Sequence, residues 1–142
     1  MTLFAPVQQS FAAHLTFEVQ SYDLDAAGFA DEFAHQRWLA SLRDRLLGPG
    51  SRLSRIGQPM LVASEVAYMN PLQQGDRLLG QIWLANLGRT RWTVQIRLTH
   101  AASGELVATA KQVGHFLCLP DRAPAAIPEA DLKTYWEHQW QQ

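Results

Sequence analysis

The chain has 142 residues, a length that suits one domain with its own core. Twelve Lys and Arg stand against thirteen Asp and Glu, a formal net charge of -1, which argues against a nucleic-acid binder driven by bulk charge. One cysteine, Cys118, excludes an intrachain disulfide or a cysteine metal site and fits a reducing, cytoplasmic setting.

Met1 to His14 has neither a basic start nor an apolar block, so no signal peptide is expected. No apolar run approaches transmembrane length, and no membrane partner is expected. Residues 1–12 read as a loose arm. From Leu15 the pattern alternates: Leu15, Phe17 and Val19 face one way, Thr16, Glu18 and Gln20 the other. That is a half-buried strand, and it delivers Asp23 and Asp25 to its C-terminal end.

Gly28 follows and allows a sharp bend. Asp31 and Glu32 then stand where acids favour the first turn of a helix. The helix is predicted from about Asp31 to Leu47, with His35, Trp38, Leu39, Leu42 and Leu46 on one stripe at 100° per residue. Gly48-Pro49-Gly50 ends it. Asp31 begins the same stripe four residues before His35, so the two side chains are in reach of each other. The alternative for His35 is a neutral core histidine whose bonds are satisfied locally.

This front end has two readings. A carboxylate facing the free N–H groups of a helix start is a site for acyl chemistry. The same acids also suit a turn with ordinary capping aspartates. Asp23 reads as structural, bonding its own turn.

Gly48 to Pro59 reads as a loop carrying Arg52 and Arg55. Strands are predicted over Met60–Met69, Leu78–Leu87, Arg91–His100 and Leu106–Leu119. Asn70-Pro71 with Gly75-Asp76, Gly88-Arg89 and Ser103-Gly104 mark the turns between them. In the fourth strand Trp92, Val94, Ile96 and Leu98 share a face. Residues 120–142 form a proline-containing tail with a short helix from about Glu129 to Gln139. The layout is α+β, an antiparallel five-stranded sheet around one long central helix, in a single domain over 1–142. The five histidines are scattered without metal-ligand spacing, so no metal is expected.

Asp23-Leu24-Asp25-Ala26-Ala27-Gly28 at the end of the first strand, and Pro71-Leu72-Gln73-Gln74-Gly75-Asp76, carry a family likeness. With this order of elements, the chain resembles the hotdog-fold acyl-CoA thioesterases, and most the 4-hydroxybenzoyl-CoA thioesterase family. The likeness runs from about Leu15 to Pro128. Gly75-Asp76-Arg77-Leu78-Leu79 and Leu119-Pro120-Asp121-Arg122 also resemble 1,4-dihydroxy-2-naphthoyl-CoA hydrolases.

The resemblance implies hydrolysis of an aromatic or medium-sized acyl-CoA. It implies Asp25 as nucleophile or general base, and helix-start N–H groups near Asp31 and Glu32 as oxyanion donors. Charge growing on the thioester oxygen is stabilised by such fixed donors. No cofactor is implied beyond coenzyme A, which is part of the substrate. Arg52, Arg55, Arg89 and Arg91 become candidates for its phosphates, with solvated loop or strand positions as the alternative. Trp83 and Trp92 flank the Gly88 turn as candidates for an acyl pocket or a subunit contact. A homo-oligomer, dimer or tetramer, is implied.

The chain also departs from the family pattern. After the glycine, where members often carry aromatic or apolar residues and an Asn-Tyr pair, it has Asp31, Glu32, Ala34 and His35. These join Asp25 as candidate catalytic residues. The competing functions are a non-catalytic acyl-CoA binder and a hydroxyacyl thioester dehydratase. The dehydratase histidine and its glycine-proline helix start do not occur here.

Overall fold

Period-two and period-3.6 apolar patterns become strands and helices in the order expected. The computed structural model describes residues 11–139. The strands are β1 (Ala12–Glu18), β2 (Gln58–Tyr68), β3 (Arg77–Leu87), β4 (Arg91–His100), β5 (Leu106–Cys118) and β6 (Ala123–Pro124). The helices are α1 (Glu32–Leu47), between β1 and β2, and α2 (Glu129–Gln139) at the end. The fold is the hotdog arrangement: one antiparallel sheet in the order β1-β3-β4-β5-β2, packed on α1.

The sheet has a sixth strand where five are expected. It is the two-residue β6, paired with Leu117 and Cys118 of β5. Two residues, one of them a proline, give no alternation to read. The first strand also starts earlier than expected. Ala12 already pairs with Trp83, and Phe11 is buried against Tyr135, so the arm does not reach residue 12. Residues 1–10 of that arm lie outside the described residues.

The stripe of α1 supplies the core. Trp38, Leu39, Leu42 and Leu46 are buried with Ile82, Leu84, Val94, Ile96 and Leu98 of the sheet. Each such leucine contributes about 1.5–3 kcal/mol by leaving water. Gly80 lets the helix come close: a Cβ there would lie 2.6 Å from Leu42 Cδ1. That explains a glycine inside β3.

The two tryptophans at the Gly88 turn do not share a face. Trp92 points into the core, fully buried, and donates its indole N–H to the His115 carbonyl at 2.9 Å. Trp83 is half-buried and lines a cleft of about 520 Å³ with Gln95 and Lys111. In α2, Tyr135 is buried while Trp136 is 44% exposed.

Candidate functional site

The end of β1 is tied down before the candidate carboxylates appear. Val19 N–H donates to the Asp76 carbonyl and Gly75 N–H to the Val19 carbonyl, both at 2.9 Å. A single 3-10 turn, Ser21–Asp23, follows. Residues 24–30 then fold back as a small loop: Leu24 bridges Ala30, and Asp25 N–H donates to the Phe29 carbonyl at 2.7 Å. Gly28 makes the reversal with φ +90, a conformation open to glycine. Ala30 N–H donates to the Leu72 carbonyl, and Phe29 bridges Gln73, so the second landmark turn supports the first.

Asp25 is exposed, and its Oδ1 accepts N–H bonds from Ala27 at 2.9 Å and Phe29 at 3.1 Å. One oxygen therefore caps the turn, as the bland reading expects. Oδ2 has no partner among the described residues. A carboxylate held by one oxygen and open at the other is oriented without being used up.

Asp31 is the N-cap of α1, just outside the helix that was expected to begin at it. Its carboxylate accepts the Ala34 N–H at 2.7 Å, and its carbonyl accepts the His35 N–H at 3.3 Å. The N–H groups of Glu32 and Phe33 are left without a partner among the described residues. They are the unpaired donors that every helix start carries. The added acid at Asp31 thus serves as a cap, and Glu32 is exposed in the first turn.

The expected Asp31–His35 side-chain pair does not form. His35 Nδ1 lies 2.7 Å from the Asp31 carbonyl oxygen instead. A carbonyl only accepts, so Nδ1 carries the proton of that bond. The cap takes Oδ1 of the carboxylate, and the ring turns to the carbonyl one turn back, which also accepts the long 3.3 Å bond from the His35 N–H. His35 is 5% exposed, with ring centroids 5.1 Å from Trp38 and 5.0 Å from Tyr68.

All four candidate catalytic residues, Asp25, Asp31, Glu32 and His35, line one cleft of about 550 Å³. Tyr68 and Met69, from the end of β2, supply its apolar wall. Tyr68 went unnoticed in the sequence because it sits in an ordinary strand pattern.

The four candidate arginines gather elsewhere in the chain. Arg52 and Arg55 follow the C-terminal end of α1, about 24 Å along the helix from its start at 1.5 Å per residue. Arg91 aligns with His115, which aligns with Met60 of β2, so Arg89 and Arg91 lie at that same far end. Arg55 is already engaged: Nη2 meets Asp131, and Nη1 donates to the Arg52 carbonyl at 2.7 Å. The Arg52 guanidinium lies 5.2 Å from the Phe11 ring centroid. Arg89 and Arg91 are exposed.

Asp23 does more than bond its own turn. Its Oδ2 accepts the Gln20 N–H at 2.8 Å, and its Oδ1 accepts from Arg37 Nη2 of α1 at 2.5 Å. No group of three possible metal ligands occurs among the described residues, and no described helix is long and apolar enough to cross a membrane.

The family model of the thioesterase-like superfamily matches residues 19–134. The chain belongs to this superfamily. The match takes in both landmark turns, α1 and the whole sheet after β1. No curated protein matches the chain. Solved structures of similar fold include Slr0204, a 1,4-dihydroxy-2-naphthoyl-CoA thioesterase from Synechocystis. It is 22% identical, with a TM-score of 0.71, over 83% of this chain and 90% of that one. The probable thioesterase YbaW from Escherichia coli is 19% identical, with a TM-score of 0.75, over 88% and 96%. SAV2348 from Staphylococcus aureus, solved in complex with CoA, is 17% identical, with a TM-score of 0.75, over 97% and 88%. At these identities the likeness establishes the fold of this superfamily member.

Proposed function

We propose that this protein hydrolyses the thioester of an acyl-CoA, with Asp25 as nucleophile or general base. The observation that carries this is one cleft lined by Asp25, whose Oδ2 is open, beside a helix start with two N–H groups, all unpaired among the described residues. In the general-base form, Asp25 takes a proton from water as the water oxygen bonds the thioester carbon. The carbonyl oxygen becomes an oxyanion, for which Glu32 N–H and Phe33 N–H are the donors. The C–S bond then breaks, the electron pair leaves with sulfur, and the proton that Asp25 took from water passes to it, so coenzyme A departs as the thiol. In the nucleophile form, Asp25 bonds the carbon first, and water cleaves the anhydride that results. His35 braces the helix start through the Asp31 carbonyl. The aromatic wall of His35 and Tyr68 favours an aromatic or medium-sized acyl group.

Assembly is part of the same proposal. β2 ends the sheet, and its eleven residues are exposed along nearly their whole length. Met60, Leu61 and Val62 are 41%, 36% and 48% exposed. A long apolar edge invites another strand. Two copies joined antiparallel at β2 about a two-fold axis would set the Gln58 end of one against the Tyr68 end of the other. The arginine-bearing end of one subunit then stands beside the Asp25 cleft of its partner. This supports a homodimer in which the partner's cationic end meets the coenzyme A phosphates.

The test is release of free coenzyme A, followed with a thiol reagent, across aliphatic and aromatic acyl-CoAs. Turnover supports the hydrolase. Binding without turnover replaces it with a non-catalytic acyl-CoA binder. Val62→Lys is expected to yield monomers by light scattering and to lose most turnover. A fully active monomer would overturn the shared site.

A further inference from the structure

We propose that Arg37 is a positioning residue for Asp25, acting through Asp23. The inference rests on the reading of Asp25 as the reacting carboxylate, and its starting point is how that carboxylate is held. Among the described residues, every hydrogen bond of Asp25 stays inside its own loop: Ala27 N–H and Phe29 N–H to Oδ1, Gly28 N–H to its carbonyl, and its own N–H to the Phe29 carbonyl. None reaches α1. The orientation of the carboxylate relative to the helix-start amides therefore depends on what fastens the loop to the helix.

Asp23 is that fastening. Its side chain is 4% exposed, and both oxygens are committed. Oδ2 takes the Gln20 N–H at the loop's entry, and Oδ1 takes Arg37 Nη2 from the second turn of α1. The Asp23 carbonyl takes the Asp31 N–H at 2.8 Å at the loop's exit. One residue joins entry, exit and helix, two positions before Asp25.

Arg37 supplies the counter-charge and ties the second turn of α1 to the entry of this loop, as the His35 ring and the Ala34 N–H tie the first turn to its exit at Asp31. A buried carboxylate stripped of its charged partner is costly to keep in place. Without Arg37, Asp23 would turn toward water and draw the loop with it. A displacement of about 1 Å at a reacting group is enough to cost an enzyme much of its rate.

The experiment compares Arg37→Gln, Arg37→Lys and Asp23→Asn with the wild type. Arg37→Gln is expected to lower kcat roughly tenfold or more, with KM nearly unchanged because substrate contacts remain. Arg37→Lys is expected to recover most of the loss, since one cationic donor restores the bond to Oδ1. Asp23→Asn tests the charge from the other side, and its kcat is expected to fall too; it also stands in if Arg37→Gln does not fold. The second readout needs no substrate: hydrogen exchange of the Ala27 and Phe29 amides, the two donors to Asp25 Oδ1. Exchange is expected to quicken in Arg37→Gln and to return in Arg37→Lys. Wild-type kcat in folded Arg37→Gln, or unchanged exchange at both amides, would overturn the proposal. If the wild-type protein hydrolyses no acyl-CoA, the hydrolase reading falls on that result, while the amide exchange still decides whether Arg37 anchors the loop.

Discussion

The two ends of α1 use their polar groups differently. At the C-terminal end several of them are engaged by the fold, although Ser51 Oγ and Asp131 Oδ2 are buried without a partner among the described residues. Gly48 N–H closes the helix on the Asp44 carbonyl at 2.7 Å. Arg55 holds the buried Asp131 of α2, and Tyr135, 1% exposed, donates its hydroxyl to the Leu84 carbonyl at 3.0 Å. At the N-terminal end, Asp25 Oδ2 and the Glu32 and Phe33 N–H groups have no partner among the described residues. The surface around them is aromatic, with Tyr22, Phe29, Phe33 and Tyr68 exposed. Stability is concentrated where the chain closes on itself, and chemistry is left where donors and acceptors stay open.

The largest effect should come from breaking the closed end. Tyr135→Ala removes a buried ring and strands the Leu84 carbonyl, and should cost about 3–5 kcal/mol, as other large aromatic truncations do. Denaturant melts would read the loss, while kcat per folded molecule should stay near wild type. A fall in kcat equal to that of an Asp25 variant would end the division between the two ends. The closed end also sets an alkaline limit. Burial pushes the Tyr135 phenol up to about 12 from its ordinary 10.0. Between those values the unfolded chain gives up this proton and the folded one keeps it. The contribution is therefore complete below pH 10 and is lost as pH rises toward about 12. Tyr135→Phe should lack this part of the alkaline slope.

Asp25→Asn should do the converse. The amide keeps an oxygen for Ala27 and Phe29 N–H, so the melt should match wild type. Turnover should fall roughly a hundredfold or more, since an amide serves as neither base nor nucleophile. Near wild-type turnover in the folded variant would move the chemistry away from Asp25.

What was legible in the sequence follows the same division. The stripe Trp38, Leu39, Leu42 and Leu46 and the alternation Trp92, Val94, Ile96 and Leu98 were readable because each repeats a period that burial enforces. The loop carrying Asp25 was readable because an Asp, a turn and a glycine sit within six residues. The pairings Asp23–Arg37 and Arg55–Asp131 were not, being 14 and 76 positions apart. Nothing local marks either partner. Nor did the alternation around Gly88 reveal that Trp83 and Trp92 face opposite ways, since that depends on the register across the hairpin.

The far-end arginines sharpen the comparison by separating struts from ligand contacts. Arg55 is tied to Asp131, so Arg55→Gln should lower stability by about 1 kcal/mol or somewhat more, discounted because the guanidinium is largely exposed. Its KM should barely move. Arg89→Ala and Arg91→Ala should leave the melt unchanged and raise KM for acyl-CoA a few-fold each, more at low salt than at high, since screening weakens exposed charges. Equal KM effects at all three positions would mean that Arg55 releases Asp131 to reach the substrate.

The smallest effect is expected at His35, though it lines the cleft. Its Nδ1–H is committed to the Asp31 carbonyl, and Asp31 Oδ1 accepts the Ala34 N–H, so the two side chains form no ion pair. The ring is wedged between Trp38 and Tyr68, where it fills space and steadies the first turn. Gln has an amide N–H that can take over the bond to the Asp31 carbonyl, though not the aromatic contacts. His35→Gln should therefore lower kcat only a few-fold. Its pH profile should keep the wild-type shape between about pH 5.5 and 8, the range that brackets free histidine. A profile that loses an inflection in that window would show that the open ring nitrogen, Nε2, exchanges protons during turnover. His35 would then join Asp25 in the chemistry, and the open end of α1 would hold a second titrating group.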